Sequence, residues 1–382
     1  MLNINFYMKV HELKKQILAG KEFDREEMYE KFESFRSKEP LIYNIETTNA
    51  CNMTCIFCPR TTRMTRKIEH LDENVFRIIA DQLRPWTKGE WKTWEDFVAK
   101  QYNVQKGDMN QNHFFLLIIP RVIVLHGFGD PLIDKKLANR IRMLSNKEIG
   151  SYFSCNPSNI NVKKNIEMME AGLGYLKYSI DSLDNVTHKK LRGKASNYTK
   201  AYVKIMETLE EKEKKGLKTE VCITMIDLQR PNQMEEWEQL QEVFKGANVY
   251  IYLKSQDQTW YDDLQGKKDL NAAAGHSVDW SEFCHYPWSS FSVKSNGEIA
   301  MCPADYNNEV VFGDAKKESL YDIWNGKKYT NFRRSHFINK ACELCTNRCD
   351  KTLIGVFFDK HAKKSNHHRL GRINREGDFS FS

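Results

Sequence analysis

The sequence predicts an α/β fold in which six strand–helix units build a parallel sheet, a partial (β/α)6 barrel, followed by a small cysteine-rich domain. Three observations predict it. Short apolar runs and helix-like segments alternate six times between Leu41 and Lys254, the pattern of parallel strands joined by helical crossovers. Each run is apolar on one face and polar on the other, whereas a parallel sheet covered on both sides is apolar on both. Eight of the ten cysteines fall into two groups, one just after the first run and one beyond the last.

In order, residues 1–38 read as an N-terminal helical extension of two amphipathic helices. Val10, Leu13, Ile17 and Leu18 form one apolar stripe, and Gly20 ends the first helix. Strands follow over residues 41–47, 121–126, 151–154, 174–181, 218–226 and 247–254, with helices over 73–83, 132–146, 160–171, 199–215 and 231–244. Side chains alternate along a strand, so Val221, Ile223 and Met225 oppose Cys222 and Thr224. By the same rule Asn44 and Glu46 oppose Tyr43 and Ile45. Lys177, Ser179 and Asp181 oppose Leu176, Tyr178 and Ile180, and Tyr250, Tyr252 and Lys254 oppose Val249, Ile251 and Leu253. The strand count alone fits an open sheet or a partial barrel; the polar faces point to a barrel whose lumen is a reaction chamber. The barrel spans residues 39–256. An insertion at about 84–112, carrying Trp86, Trp91 and Trp94, reads as a helical lid or as a surface elaboration that buries its tryptophans. Residues 257–281 form a linker, 282–352 the cysteine-rich domain and 353–382 a basic tail.

A composition of 41% hydrophobic and 29% charged residues with a net charge of +7 is that of a globular protein. No apolar run approaches the ~20 residues of a membrane span, and the N-terminal residues lack the basic, apolar and small-residue segments of a secretory signal. Lysines such as those of Glu211–Lys215 interleave with acids, a solvated face, so nucleic acid is not an expected partner. Clustered cysteines without an export signal indicate metal binding in a reducing, cytoplasmic compartment and not a disulfide framework.

Cys51, Cys55 and Cys58 stand three and then two residues apart, directly after the first strand. Three thiolates are one short of the usual set for an iron–sulfur cluster and would leave one iron open to another ligand. A structural zinc site also uses thiolates, but commonly as two pairs. Gly127-Phe-Gly129-Asp130-Pro131 follows the second strand, where missing Cβ atoms let backbone groups approach a ligand. Asn156 ends the third strand; Ser179-Ile-Asp181 ends the fourth, with Leu191-Arg192-Gly193 beyond it.

In this order on one βα chain, these motifs resemble the radical S-adenosylmethionine (radical SAM) family. The resemblance implies that Cys51, Cys55 and Cys58 hold a [4Fe–4S] cluster whose open iron is chelated by S-adenosyl-L-methionine, which is cleaved reductively to a 5′-deoxyadenosyl radical. It places Phe57 near the adenine, Gly127, Gly129 and Asp130 at the methionyl amino group, and Asn156 in a frequent cofactor-lining segment. Ser179 and Asp181 come near the ribose and Arg192 near the carboxylate. The chain departs from the usual Gly-Gly-Glu-Pro by carrying Phe128 and Asp130. Cys284, Cys302, Cys342, Cys345 and Cys349, with Ser295–Cys302 and Ser319–Trp324, resemble the SPASM (twitch-like) domain that holds auxiliary clusters. Five cysteines imply one auxiliary [4Fe–4S] cluster, on Cys284, Cys302, Cys342 and Cys345 with Cys349 as spare, a second cluster or a zinc site being alternatives.

The expected activity is that of a radical SAM oxidoreductase acting on a polar substrate, with dehydrogenation of a sugar or aminocyclitol alcohol as the first reading. A peptide-modifying maturase or epimerase is the alternative, and a non-catalytic iron–sulfur or zinc protein is the rival of another class. The partners are then a small-molecule or peptide substrate and a reducing donor such as flavodoxin or ferredoxin. Cys222, on a polar strand face, is a candidate hydrogen donor or a plain core cysteine.

Overall fold

The computed structural model describes residues 1–102, 104, 113–255, 284–338, 371–373 and 379–380. Six parallel strands alternate with helices: β1 (Ile42–Ile45), β2 (Val122–Val124), β3 (Gly150–Cys155), β4 (Tyr175–Ser179), β5 (Glu220–Asp227) and β6 (Val249–Ser255). Their outer, apolar residues, among them Phe153, Leu176, Ile223 and Ile251, pack under helices 73–81, 137–145, 162–170 and 233–243 in one core. Burial of these faces drives the sheet together, at roughly 25 cal/mol per Å² of apolar surface. Polar side chains cap the helices where the sequence allows: Asp72 accepts from the Asn74 and Val75 N–H groups, and Asn197 from that of Lys200.

The cysteine-rich region is less separate than its composition suggests. Strand β7 (Phe291–Val293) pairs in parallel with β1, and β8 (Glu298–Ala300) and β9 (Val311–Asp314) continue from it antiparallel. At the other edge, β10 (Gly371–Ile373) pairs with β6, and β11 (Phe379–Ser380) with β10. One eleven-stranded sheet results, in the order β11-β10-β6-β5-β4-β3-β2-β1-β7-β8-β9. The basic tail thus contributes two strands that its composition did not announce. The 257–281 linker and most of the tail lie outside the described residues.

The opposite faces of the six strands form a second core. Val122, Val124, Tyr152, Cys222, Tyr250 and Tyr252 pack there with the two N-terminal helices, Ile4–Leu18 and Arg25–Phe35. The expected polar lumen is therefore largely aromatic toward the N-terminal ends of the strands. Trp91, Trp94 and Val98 of helix Lys88–Tyr102 join this cluster. Trp86 donates to the Pro120 carbonyl just ahead of β2, at 3.1 Å. The helix thus sits at the end of the barrel away from the Cys51–Cys58 loop, which corrects the lid reading. Tyr43, assigned to the helix-covered face, packs with the lumen cluster instead. The β1–β7 register shifts between Ile42 and Asn44, and such an irregularity breaks strict alternation.

Candidate functional site

The loop after β1 carries Cys51, Cys55 and Cys58, all free thiols. Two backbone bonds fix it to the end of helix Asn185–Arg192, from Thr54 N–H to the Arg192 carbonyl and from Ile56 N–H to the Leu191 carbonyl, both 3.0 Å. Gly193 completes this clamp at φ +99°, where a Cβ would stand 2.2 Å from Thr54 Oγ1 and 2.8 Å from the Thr54 nitrogen. Neither the torsion nor the space suits another residue. Leu191-Arg192-Gly193 therefore shapes the cysteine loop itself, a part that its sequence pattern did not reveal.

The thiols are close enough to influence one another's ionisation. Burial pushes Cys51 and Cys58 up to about 11, with the neighbouring thiols adding to the shift. A bound metal centre must therefore offset this burial to hold them as thiolates. Among the described residues, no three His, Cys, Asp or Glu side chains converge tightly enough to hold a single metal ion. Cluster ligation makes no such demand, because each thiolate binds a different iron.

Arg192 is buried and ion-paired with Asp181 at 2.5 Å, and its guanidinium lies 5.3 Å from the Phe57 ring centre. The other Asp181 oxygen accepts from Ile226 N–H at 3.0 Å. Arg192, Asp181 and Phe57 thus meet beside Cys55, whose thiol lies 3.9 Å from the Arg192 carbonyl. Ser179 Oγ is 3.4 Å from Ser154 Oγ at the mouth of the same lumen.

The glycine loop packs directly on the start of the cysteine loop. A Cβ on Gly129 would stand 2.1 Å from the Thr48 carbonyl oxygen, and Asp130 N–H donates to the Ala50 carbonyl at 2.8 Å. One Asp130 oxygen accepts from Leu132 N–H at 3.0 Å and the other from Asn159 Nδ2 at 2.6 Å. Asn159 in turn bonds Asn52 within the cysteine loop. Asn156 caps the turn 157–159 through Ser158 N–H and donates to Ser196 Oγ at 3.3 Å. Exchanging Gly129 for alanine is expected to displace residues 48–50 and destabilise the protein by about 2–4 kcal/mol. Thermal melts and iron content after reconstitution check this; a variant that matches the parent in both refutes the close-approach argument.

The largest omission in the sequence reading is the set of partners of Glu46. Arg66 donates to both of its oxygens, at 2.8 and 2.9 Å. Phe128 N–H of the glycine loop donates at 2.9 Å and Ser295 N–H of the β7–β8 turn at 3.3 Å. Burial alone would raise the Glu46 carboxyl, but Arg66, Lys294 and the Phe128 N–H outweigh it and hold the group below its ordinary range. One carboxylate thereby ties β1, the segment after the cysteines, the glycine loop and the cysteine-rich region together. Arg66 follows no recognisable spacing, so no local pattern pointed to it.

Cys284 and Cys302 are buried on either side of β7. Tyr286 N–H lies 3.4 Å from Cys284 Sγ, and Cys284 N–H donates to His336 Nε2 at 2.9 Å. The Tyr286 ring lies 5.9 Å from that of lumen residue Tyr43. Cys342, Cys345 and Cys349 lie outside the described residues. A cavity of about 620 Å³ lined by Met206, Glu210, Lys218 and Tyr250 opens near the N-terminal end of β5, away from the thiols. No helix among the described residues is long and apolar enough to cross a membrane.

Comparison with known proteins accords with this geometry. The Radical SAM superfamily matches residues 45–244, and the SPASM iron–sulfur cluster-binding domain matches residues 284–350. No protein of curated function matches the chain. Among solved structures, SuiB of Streptococcus suis bound to its precursor peptide SuiA is similar over 90% of this chain and 76% of its own, at 13% identity and a TM-score of 0.52. SuiB bound to S-adenosylmethionine aligns over 84% and 74%, at 15% identity and 0.51. BtrN in complex with AdoMet and 2-DOIA covers 82% of this chain and 99% of its own, at 15% identity and 0.43. The two likenesses to SuiB show the fold. The family binds a [4Fe–4S] cluster and S-adenosylmethionine, with auxiliary iron–sulfur in the SPASM part, and three free thiols on one clamped loop, Cys55 buried and Cys51 and Cys58 half-buried, suit such a cluster. The chain belongs to the radical SAM superfamily and carries a C-terminal SPASM domain.

Proposed function

We propose that this chain is an oxidoreductase that dehydrogenates an alcohol of a polar substrate, such as a sugar or aminocyclitol, in the barrel lumen. When bound, the Cys51/Cys55/Cys58 cluster and S-adenosylmethionine supply a hydrogen-abstracting radical. Phe57, Gly127, Gly129, Asp130, Asn156, Ser179, Asp181 and Arg192 line the cofactor side in this reading. Arg192 keeps one face toward Phe57 while Asp181 holds its guanidinium in place. Loss of a hydrogen atom, a proton and an electron from the alcohol gives the carbonyl. The observation that carries the reading is Tyr286, which touches both Cys284 and lumen residue Tyr43. In this reading one auxiliary cluster, on Cys284, Cys302, Cys342 and Cys345 with Cys349 as spare, lies near the chamber and accepts the electron, and the Tyr286 contact supports that reading.

A reducing donor such as flavodoxin or ferredoxin, in the cytoplasm, completes the cycle. The test is anaerobic reconstitution, reduction and measurement of 5′-deoxyadenosine. Formation of the nucleoside supports the enzyme reading, and a filled cluster without it overturns that reading. Peptide modification is the second reading, favoured by the fold likeness to SuiB, which holds a precursor peptide.

Epimerisation would require a hydrogen donor, and in that reading Cys222, on the inner strand face, is the candidate. It is buried among Tyr152, Tyr250 and Tyr252, and burial pushes its thiol up to about 12, so the sulfur keeps its hydrogen. A product formed in heavy water should then carry one solvent deuterium, lost in Cys222→Ala. Product without deuterium leaves Cys222 as core.

A further inference from the structure

Lys177 lies midway along β4 on the lumen side, and the proposed reaction assigns it no part. It is 8% exposed. Its Nζ stands 5.5 Å from the Phe114 ring centre, 5.6 Å from that of Tyr152 and 5.8 Å from that of Tyr252, and it donates to Tyr252 Oη at 3.3 Å. Rings at this distance recover only part of the cost of desolvating an ammonium. Strand register places Ser154 and Cys222 beside it, with Ser179, Thr224 and Tyr252 in the next layer toward the cysteine loop and Lys254 beyond them. His126, half-buried, accepts Ser154 N–H at its Nδ1 and packs on Tyr152.

The carboxylates on this face are committed elsewhere: Glu46 to Arg66, and Asp181 to Arg192 and Ile226 N–H. Glu220, one layer nearer the N-terminal ends of the strands, is opposite Tyr175 and not Lys177. Among the described residues, no carboxylate pairs with Lys177. Among the described residues, the wall between Lys177 and the cysteine loop is thus made of hydroxyls, an imidazole and a second ammonium.

We propose that the substrate carries an anionic oxygen group, a carboxylate or a phosphate, and that Lys177 binds it with Ser154 as a flanking hydrogen-bond donor. The proposal rests on the reading of the lumen as the substrate chamber. An ammonium–oxyanion contact is the charge-assisted bond the cage lacks. It also carries a proton signature. Burial, with Lys254 adding repulsion and Cys222 opposing it, lowers Lys177 to about 7. The other titratable groups facing it are His126, Tyr152 and Tyr252, with Arg192 farther off. Above that pH the amine is mostly neutral, and an arriving anion draws a proton onto it.

The test is calorimetric titration of the cluster-loaded protein at about pH 8 with inorganic phosphate and, separately, acetate, in buffers of different ionisation enthalpy. One saturable site with uptake of close to one proton is expected. Lys177→Met should weaken binding by about tenfold or more and abolish the uptake, whereas Lys177→Arg should retain binding. His126→Gln should leave the uptake in place, assigning it to Lys177. Response to phosphate alone identifies a phosphate-bearing substrate, and response to acetate a carboxylate. Absence of saturable binding, or binding and uptake unchanged in Lys177→Met, overturns the proposal. 5′-Deoxyadenosine formation on the same preparation separates the two readings: cleavage without anion binding removes only the Lys177 assignment.

Discussion

Replacing Cys51, Cys55 and Cys58 together by alanine is expected to lower bound iron by about four atoms per chain and reduce 5′-deoxyadenosine to background. The iron of the SPASM part, proposed to involve Cys284 and Cys302, should remain. The reason lies in the loop. Its backbone is held chiefly by the Leu191 and Arg192 carbonyls and by the close approach of Gly193. The thiols add weak contacts, such as the Met53 N–H to Cys51 Sγ bond at 3.4 Å and the Cys55 contact with the Arg192 carbonyl. The variant should therefore fold, with circular dichroism and melting close to the parent, and lose only the metal centre. Iron and sulfide analysis alongside nucleoside quantification checks this. Retained cleavage would refute the ligand set, and loss of iron beyond one cluster would show that the two metal sites depend on each other.

Exchanging Glu46 for glutamine is expected to cost about 3–5 kcal/mol, the range for breaking a buried ion pair while leaving its partner charged. Arg66 and Glu46 are almost fully buried, and no other carboxylate is bonded to Arg66 in the described structure. Urea denaturation measures the loss. The double variant Glu46→Leu/Arg66→Met should recover much of it, because apolar pairs replace buried ion pairs well. It should not recover activity, since the Phe128 and Ser295 N–H groups lose their common acceptor. The sign of the pH dependence follows from the depressed carboxyl. Its stabilisation is present above the unfolded pKa of about 4.3 and disappears as pH falls through the folded value. A Glu46→Gln protein as stable as the parent would remove the hub from the account.

How far the sequence reached can be judged from particular residues. Strands β4, β5 and β6 alternate strictly, so the side of Leu176, Ile223 and Ile251 was readable from period alone. Tyr43 was misplaced, because a register shift leaves no trace in a four-residue run. Helix Asn185–Arg192 was missed: its mean character is polar, and it runs for only eight residues behind the Asp184 cap. The lid expectation failed for a related reason. Tryptophans in an insertion announce burial but not the surface that receives them, and here that surface is the N-terminal helices at the far end of the barrel.

What the sequence determined by itself was chemistry of fixed local spacing. Three thiols within eight residues, a glycine loop after the second strand and a second cysteine group all come from short stretches whose geometry the backbone nearly dictates. The alternating faces determined the sheet in the same way. Only the tertiary structure decided which distant groups share a charge: Glu46 with Arg66, Phe128 and Ser295; Arg192 with Asp181; and Lys177 within three rings from β3, β6 and residue 114. These contacts join residues from 11 to 249 positions apart. Their energies come from burial and close range, and neither quantity is written in any local pattern.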